Sequence, residues 1–385
     1  MAEDWEQGGF GLYIHWPFCE AKCPYCDFNS HVSRQIDQQA WCDAYLTELD
    51  RAAAETPGRV LRSVFFGGGT PSLMAPETVG QVIEKIRKNW ACANDLEITL
   101  EANPGSVEAG RFRAFRDGGV SRISMGVQAL NDPDLRKLGR LHSADEALKA
   151  FEIARATFDR VSFDLIYARQ GQSLAAWRAE LEQALSLAVD HLSLYQLTIE
   201  QGTAFGDRYN AGKLRGLPDE DLSADLFTLT QELCDKHGLP AYEVSNHAGD
   251  GAQSIHNLIY WRYGDYIGIG PGAHGRLTMR GHRYATECHS NPARWLHSVQ
   301  EANSEKERTR LDTGDQASEF LLMGLRLKEG ISRTRYEKLA GRPLSLAKIG
   351  ELTQMGMLCT QGDKIIVSEQ GFMILNAVIA TLLED

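Results

Sequence analysis

Cys19, Cys23 and Cys26 bring three thiols into eight positions of a 385-residue chain, spaced C-x3-C-x2-C within "CEAKCPYCDF". A further cysteine two residues on would complete a four-thiolate set, but Phe28 stands there. Thiolates are soft ligands that suit iron–sulfur clusters and zinc. Four would close a structural zinc site or saturate a cluster. Three leave one metal position open, where a small molecule can bind. Pro24 and the absence of a helical pattern place these thiols on a loop. A zinc site completed by His15 or His31 fits the same spacing, and so does a set of unrelated cysteines.

The elements that must position this loop alternate. Strand patterns at 10–16, 61–68, 96–103, 120–128, 160–168 and 191–200 are separated by helical patterns at 38–55, 76–90, 107–119, 143–157 and 173–188. Strand–helix alternation predicts βαβ units and a parallel sheet. Six units form either a partial barrel or an open doubly wound sheet, and periodicity does not separate the two. Both put working residues at the C-terminal strand ends. The cysteines follow the first strand, "GGGTP" the second and "EANP" the third, and Gln128 ends the fourth. The expected division is a core over 1–200, a less regular extension over 201–311 and a separate module over 312–385. The last reads as helices, two short strands about a Gly-Asp turn, and a closing helix, which is a winged-helix pattern.

Composition bounds the rest. Hydrophobic residues make up 43% and charged residues 24%, ordinary for a chain with a full core. A net charge of −12 argues against a nucleic-acid surface. Eight cysteines, scattered apart from the cluster, suit a reducing compartment. The start, "MAEDWEQGGF", has no apolar segment, so no signal peptide is expected, and no apolar run reaches the roughly 18–20 residues of a membrane span. A cytoplasmic location follows as an expectation, with transient membrane contact left open.

The C-x3-C-x2-C loop followed by "GGGTP" resembles the radical S-adenosylmethionine (SAM) proteins, and "YIHWPFCEAKCPYCDF" resembles the branch that holds anaerobic coproporphyrinogen III oxidase and the HemW-type haem chaperones. The resemblance runs over nearly the whole chain. It implies a partial (β/α)6 barrel with a winged-helix-like C-terminal module. It also implies a [4Fe–4S] cluster on Cys19, Cys23 and Cys26, with SAM as the ligand that Phe28 does not supply; one electron from the cluster then cleaves the sulfonium. The same resemblance implies that Gly68, Gly69 and Thr70 hold the methionine moiety, that Glu101 meets its amino group, and that Tyr13, Gln128, Arg140 and Asp164 line the rest. After "DLIY" relatives often carry a Gly-Leu-Pro turn, and this chain reads "ARQGQS".

Three features resemble the chaperone branch rather than the oxidase. Phe28 replaces a further cysteine, Cys19 lies too near the start for the oxidase's N-terminal extension, and "HNLIYW" (256–261) matches an H-N-x-x-Y-W motif. The resemblance implies haem as cargo, touched by His256, Tyr260 and Trp261, with His31 a weaker candidate ligand and "GIGPGAHG" (268–275) lining the same cavity. On the residues alone, the favoured reading is that His256 and Asn257 fix a loop by hydrogen bonds while the aromatics fill core. The implied partners are haem, an accepting protein such as a membrane respiratory enzyme, and an electron donor for the cluster; homodimerisation is left open. The alternatives are an oxygen-independent coproporphyrinogen III oxidase and a zinc-stabilised binding protein.

Overall fold

Six parallel strands carry two chemically different faces. In the computed structural model, which describes residues 3–33, 35–301 and 304–384, they are β1 (Phe10–Trp16), β2 (Val60–Gly68), β3 (Ala91–Ala102), β4 (Arg122–Gln128), β5 (Arg160–Tyr167) and β6 (His191–Gln196). Between them run α1 (Gln38–Glu55), α2 (Pro76–Asn89), α3 (Ala109–Asp117), α4 (Ala144–Thr157) and α5 (Leu174–Leu187). Successive strand residues point to opposite faces. Leu12, Ile14, Val64, Phe66, Ile98, Leu100, Ile123, Met125, Phe163 and Leu192 are buried in one apolar cluster with the helices. Their neighbours Tyr13, Ser63, Phe65, Thr99, Glu101, Arg122, Ser124, Asp164 and Ser193 take the other face, which is polar and aromatic. A parallel sheet covered by helices on both sides would read as continuous hydrophobic runs; this alternation marks a sheet that encloses a lumen.

Strand order settles the choice left open by periodicity. The strands pair sequentially from β1 to β6, with no reversal. A doubly wound sheet reverses at a switch point and places helices on both faces. Sequential right-handed crossovers put every helix on one side, which gives the partial (β/α)6 barrel. Helix α4 starts on a capping box at Ser143 and Glu146.

The region after β6 continues the same sheet. Antiparallel β7 (Asn246–Ala248) joins β6, while β8 (Asp265–Ile269) runs parallel along the free edge of β1. Beyond it lie β9 (His274–Met279), β10 (His282–Cys288) and β11 (Glu305–Arg310), all antiparallel, for eleven strands among the described residues. The last, "EKERTR", is an edge strand, where charges block further pairing. Helix α6 (Glu220–Lys236) packs on α5, with Trp177 Nε1 donating to Thr230 Oγ1 at 2.9 Å. Short helix α7 (Ile255–Trp261) is set against β1 and β2. Its first amides donate to the buried Glu97 carboxylate, from Ile255 at 2.9 Å and His256 at 3.3 Å; a carboxylate at a helix N-terminus meets unpaired donors.

The C-terminal residues form their own core. Helices Thr313–Gly324, Arg333–Ala340 and Leu346–Gln354 pack on a hairpin of Leu358–Gln361 and Lys364–Val367, with Ile331–Ser332 as a third strand, in a winged-helix-like arrangement. Arg335 ties this module to both the N-terminal segment and the end of α7. It donates to the Asp4 carboxylate twice at 2.8 Å and to the Arg262 carbonyl at 2.7 Å. Among the described residues no helix is long and apolar enough to cross a membrane.

Candidate metal and cofactor site

The cysteine loop leaves β1 from a rigid base. Trp16, buried at the strand end, packs edge-on to Phe18 and Trp41, and Trp41 stacks on Trp295 at 5.5 Å. Tyr45 Oη donates to the His15 carbonyl at 2.7 Å. The His15 ring is consumed by the same task. Its Nε2 faces the Asn29 carbonyl at 2.9 Å, so it carries the proton, and its Nδ1 then accepts from Tyr13 Oη at 3.0 Å. Burial pushes this imidazole down to about 4, and it stays neutral. His31 Nε2 lies 3.1 Å from the Asn29 side-chain oxygen. These contacts tie both histidines to the return of the loop.

The glycines of "GGGTP" answer to this packing. A Cβ on Gly69 would lie 2.6 Å from the Phe18 carbonyl oxygen, and one on Gly68 2.6 Å from the His15 ring. Gly68 also adopts φ 111°, open only to glycine at little cost. The backbone of β2 therefore closes directly on the cysteine loop, with Gly69 N donating to the Trp16 carbonyl at 2.7 Å and Thr70 N to the Phe18 carbonyl at 2.8 Å. Sequence reading assigns these glycines to ligand approach; in the folded chain they first admit β1.

A cleft of about 740 Å³ opens over this seam at the C-terminal strand ends. Cys19, Cys23, Cys26, Gly68, Gly69, Thr70, Glu101, Gln128, Arg140 and Asp164 all line it. Eight of these ten follow a barrel strand or lie in its last two residues, as expected from the alternation; Asp164 projects from within β5, and Arg140, from the turn after the helix Asp132–Lys137, reaches in from the side. Thr70 Oγ1 donates to Cys19 Sγ and Arg140 Nη1 to Cys23 Sγ, both at 3.4 Å. Burial raises the Cys19 and Cys26 thiols, so soft-metal binding must displace their protons. Among the described residues no three of His, Cys, Asp and Glu are grouped to hold a lone metal ion. Cys19, Cys23 and Cys26 line one cleft together, a soft donor set that suits an iron–sulfur cluster.

The polar end of the cleft is poised for a zwitterion. Gly68 N donates to Glu101 Oε2 at 3.3 Å, and burial, reinforced by Asp164, lifts the Glu101 carboxyl to about 8. Asp164 is pushed up to about 6 by burial, opposed by its Ser193 hydrogen bond and by Arg122. Glu101 would release its proton to meet a cationic group, while Asp164, at about 6, is already largely ionised at neutral pH. Arg140 Nε is buried with no partner, a donor left for an anion, while its Nη2 is anchored on the Gly126 carbonyl at 2.8 Å. These residues fit a [4Fe–4S] cluster on the three thiols and SAM between Glu101 and Arg140. When bound, such a pair supplies one-electron cleavage of a sulfonium; the chain's own part is to hold, orient and shield it.

Sequence reading misses two supports. Gln128 ends β4 in a left-handed conformation, φ 74°, beside a register shift. Its carbonyl accepts from Arg169 Nη1 at 3.3 Å. Arg169 is itself buried, paired with Asp134 at 3.0 Å and with Glu180. It is the "ARQGQS" loop, which departs from the usual turn, that supplies this arginine, and no local pattern signals its burial. Tyr25, between the second and third cysteines, lines the cleft and is the second.

The "HNLIYW" residues lie elsewhere. His256 is 1% exposed, with Nδ1 2.8 Å from Ser63 Oγ and Nε2 2.7 Å from Tyr260 Oη. Its ring stacks on Phe65 at 5.0 Å and on Tyr13 at 6.3 Å, behind the cleft. Trp261 is half-buried, its carbonyl against Gly324 of the C-terminal module. "GIGPGAHG" packs on the back of the cysteine loop: Gly270 meets the His15 carbonyl, and the Pro271 carbonyl accepts from Asn29 Nδ2 at 2.8 Å.

Known proteins share this architecture. Residues 13–184 match the sequence model of the radical SAM superfamily and residues 311–374 that of the HemN C-terminal domain. The chain is 36% identical to heme chaperone HemW of Escherichia coli (strain K12), over 97% of this chain and 98% of that protein. It is 37% identical to the mitochondrial radical S-adenosyl methionine domain-containing protein 1 of Mus musculus, over 97% and 87%. Coproporphyrinogen III oxidase HemN of Escherichia coli superposes with a TM-score of 0.81 at 21% identity, over 97% of this chain and 90% of that one, a likeness of fold. With its three thiols around one open cleft and its full-length match to such relatives, the chain belongs to the radical SAM superfamily, in the family of the HemW-type haem chaperones.

Proposed function

We propose that this protein is a haem chaperone, which binds haem and passes it to an acceptor protein such as a membrane respiratory enzyme. The observation that carries the reading is the match to HemW across 97% of the chain, with Phe28 where the oxidase branch has a cysteine. Cys19, Cys23 and Cys26 hold a [4Fe–4S] cluster. Tyr13, Gly68, Gly69, Thr70, Glu101, Gln128, Arg140 and Asp164 bind SAM.

Haem meets α7 through His256, Tyr260 and Trp261. Burial drives the His256 pKa down to about 3, which keeps the imidazole in the neutral form that iron requires. For its nitrogen to reach iron, the bond to Ser63 or the one to Tyr260 must open. The burial that neutralises the ring thus also gates it.

The test is haem titration of anaerobically reconstituted protein, followed by Soret absorbance, and then transfer to an apo-haem acceptor. Stoichiometric binding by wild type and its loss in His256→Ala are expected. Unchanged binding in the variant removes α7 from the haem site. Decarboxylation of coproporphyrinogen III by the reconstituted protein with reductant and SAM overturns the chaperone reading.

A further inference from the structure

The outer side of the cysteine loop presents a second surface. Lys22, Arg136, Lys137 and Arg208 ring a groove of about 1000 Å³ that Cys23 and Cys26 also line, and no carboxylate lines it. On a chain of net charge −12 such a concentration of cations is anomalous. Its walls come from three segments remote in sequence: the cysteine loop, the helix Asp132–Lys137 and the helix Ala204–Asn210. The last is pinned to the loop by Phe205 N donating to the Pro24 carbonyl at 2.8 Å. Arg136 and Lys137 are 70% and 51% exposed, with Asp132 at 4.0 Å and Asp134 at 2.9 Å on one side only. Lys22 and Arg208 form no ion pair among the described residues.

We propose that this groove docks an acidic one-electron carrier protein, which reduces the cluster held by the three cysteines; the inference rests on the cluster reading above. Two of the three thiols are reached from the groove without crossing the cofactor cleft. An electron arriving here enters through the ligands themselves and leaves the cleft free for the small molecule. Exposed cations, with Lys22 and Arg208 unpaired and Arg136 and Lys137 ion-paired only within their own helix, recruit an acidic surface and accelerate its encounter. In the step, one electron leaves the carrier, which is oxidised, and enters the cluster, which is reduced. No atom or proton is transferred.

An acidic plant-type [2Fe–2S] ferredoxin is the probe, titrated against the reconstituted chain by thermophoresis at low and high ionic strength. Wild-type affinity falls with salt. The triple variant Lys22→Glu, Arg136→Glu, Arg208→Glu binds about tenfold or more weakly at low salt, and Arg208→Glu alone about threefold. Lys364→Glu, on the C-terminal hairpin, leaves affinity unchanged. Equal affinity of the triple variant and wild type, or binding indifferent to salt, overturns the proposal. Loss of haem binding in the triple variant with ferredoxin affinity intact does so too, because it assigns the groove to porphyrin carboxylates. Dithionite, too small to need a dock, bleaches the cluster equally in wild type and variants. A wild-type chain that gains no iron or sulfide on reconstitution breaks the underlying cluster reading, and is told apart from failure of the dock by that analysis.

Discussion

The cysteine cleft and helix α7, whose histidine is sealed behind Tyr13 and Phe65, are built on opposite terms. At the cleft, polar groups are left waiting: Arg140 Nε has no partner, Glu101 and Asp164 hold raised carboxyls, and Phe28 is 58% exposed beside the thiols. At α7 the polar groups around the histidine are spent, and only Glu97 Oε2 is left with a distant Arg160 at 3.8 Å. Ser63, His256 and Tyr260 form a closed hydrogen-bonded chain, and Glu97 satisfies the helix amides. An unsatisfied buried group costs about 1–3 kcal/mol, so it persists where a ligand can supply the missing bond. Two motifs thus differ in readiness. One site is preformed, and the other must open.

Substitutions can break that contrast. The largest effect is expected at the thiols: Cys23→Ser brings iron and sulfide after reconstitution to background, while the unliganded chain keeps its urea midpoint. A large loss of stability instead would make the cysteines structural. Next comes His256→Ala, which leaves a cavity and strands the Ser63 and Tyr260 hydroxyls. A loss of about 3 kcal/mol or more is expected in urea denaturation. A loss within about 0.5 kcal/mol would show that the ring is not a keystone of the fold.

Gly69→Ala tests whether the glycine run serves the chain before it serves a ligand. Its Cβ meets the Phe18 backbone, so the substitution should destabilise even the unliganded protein, by about 2 kcal/mol. Unchanged stability with weakened SAM binding would return the glycines to a ligand role alone.

The smallest effect is in pH dependence. Glu101 sits at about 8 against an ordinary 4.5, so across that window the folded chain keeps a proton that the unfolded chain has lost. The contribution of Glu101 to the stability of the unliganded protein therefore falls as pH rises from 4.5 to 8. Glu101→Gln should remove about 1 kcal/mol of that fall, the access of water to the cleft reducing the full effect. Identical slopes for wild type and variant would mean that the carboxylate is already ionised.

Much of this was legible residue by residue. The strand 10–16 coincides with β1, and 160–168 overruns β5 by a single residue. β3 starts earlier than its apolar pattern, because Ala91 and Cys92 still pair with Val60 and Leu61 of β2 ahead of a register shift. The predicted strand 191–200 stops at Gln196, since β7 lies opposite only its first half. Among site residues, those at strand ends announced themselves by position. Arg169 and the basic groove did not, for each depends on segments that meet only in the folded chain.

Local chemistry fixed the loop of three thiols, the alternation of strand and helix, and the two-faced strands, because each follows from neighbours a few residues apart. Tertiary structure alone chose sequential strand order over a switched one, set the C-terminal half of the extension onto the edge of β1, and sealed His256 behind Tyr13 and Phe65. Those outcomes depend on which surfaces find one another across hundreds of residues, and burial, which decides whether a histidine is a ligand or a strut, belongs to the assembled core.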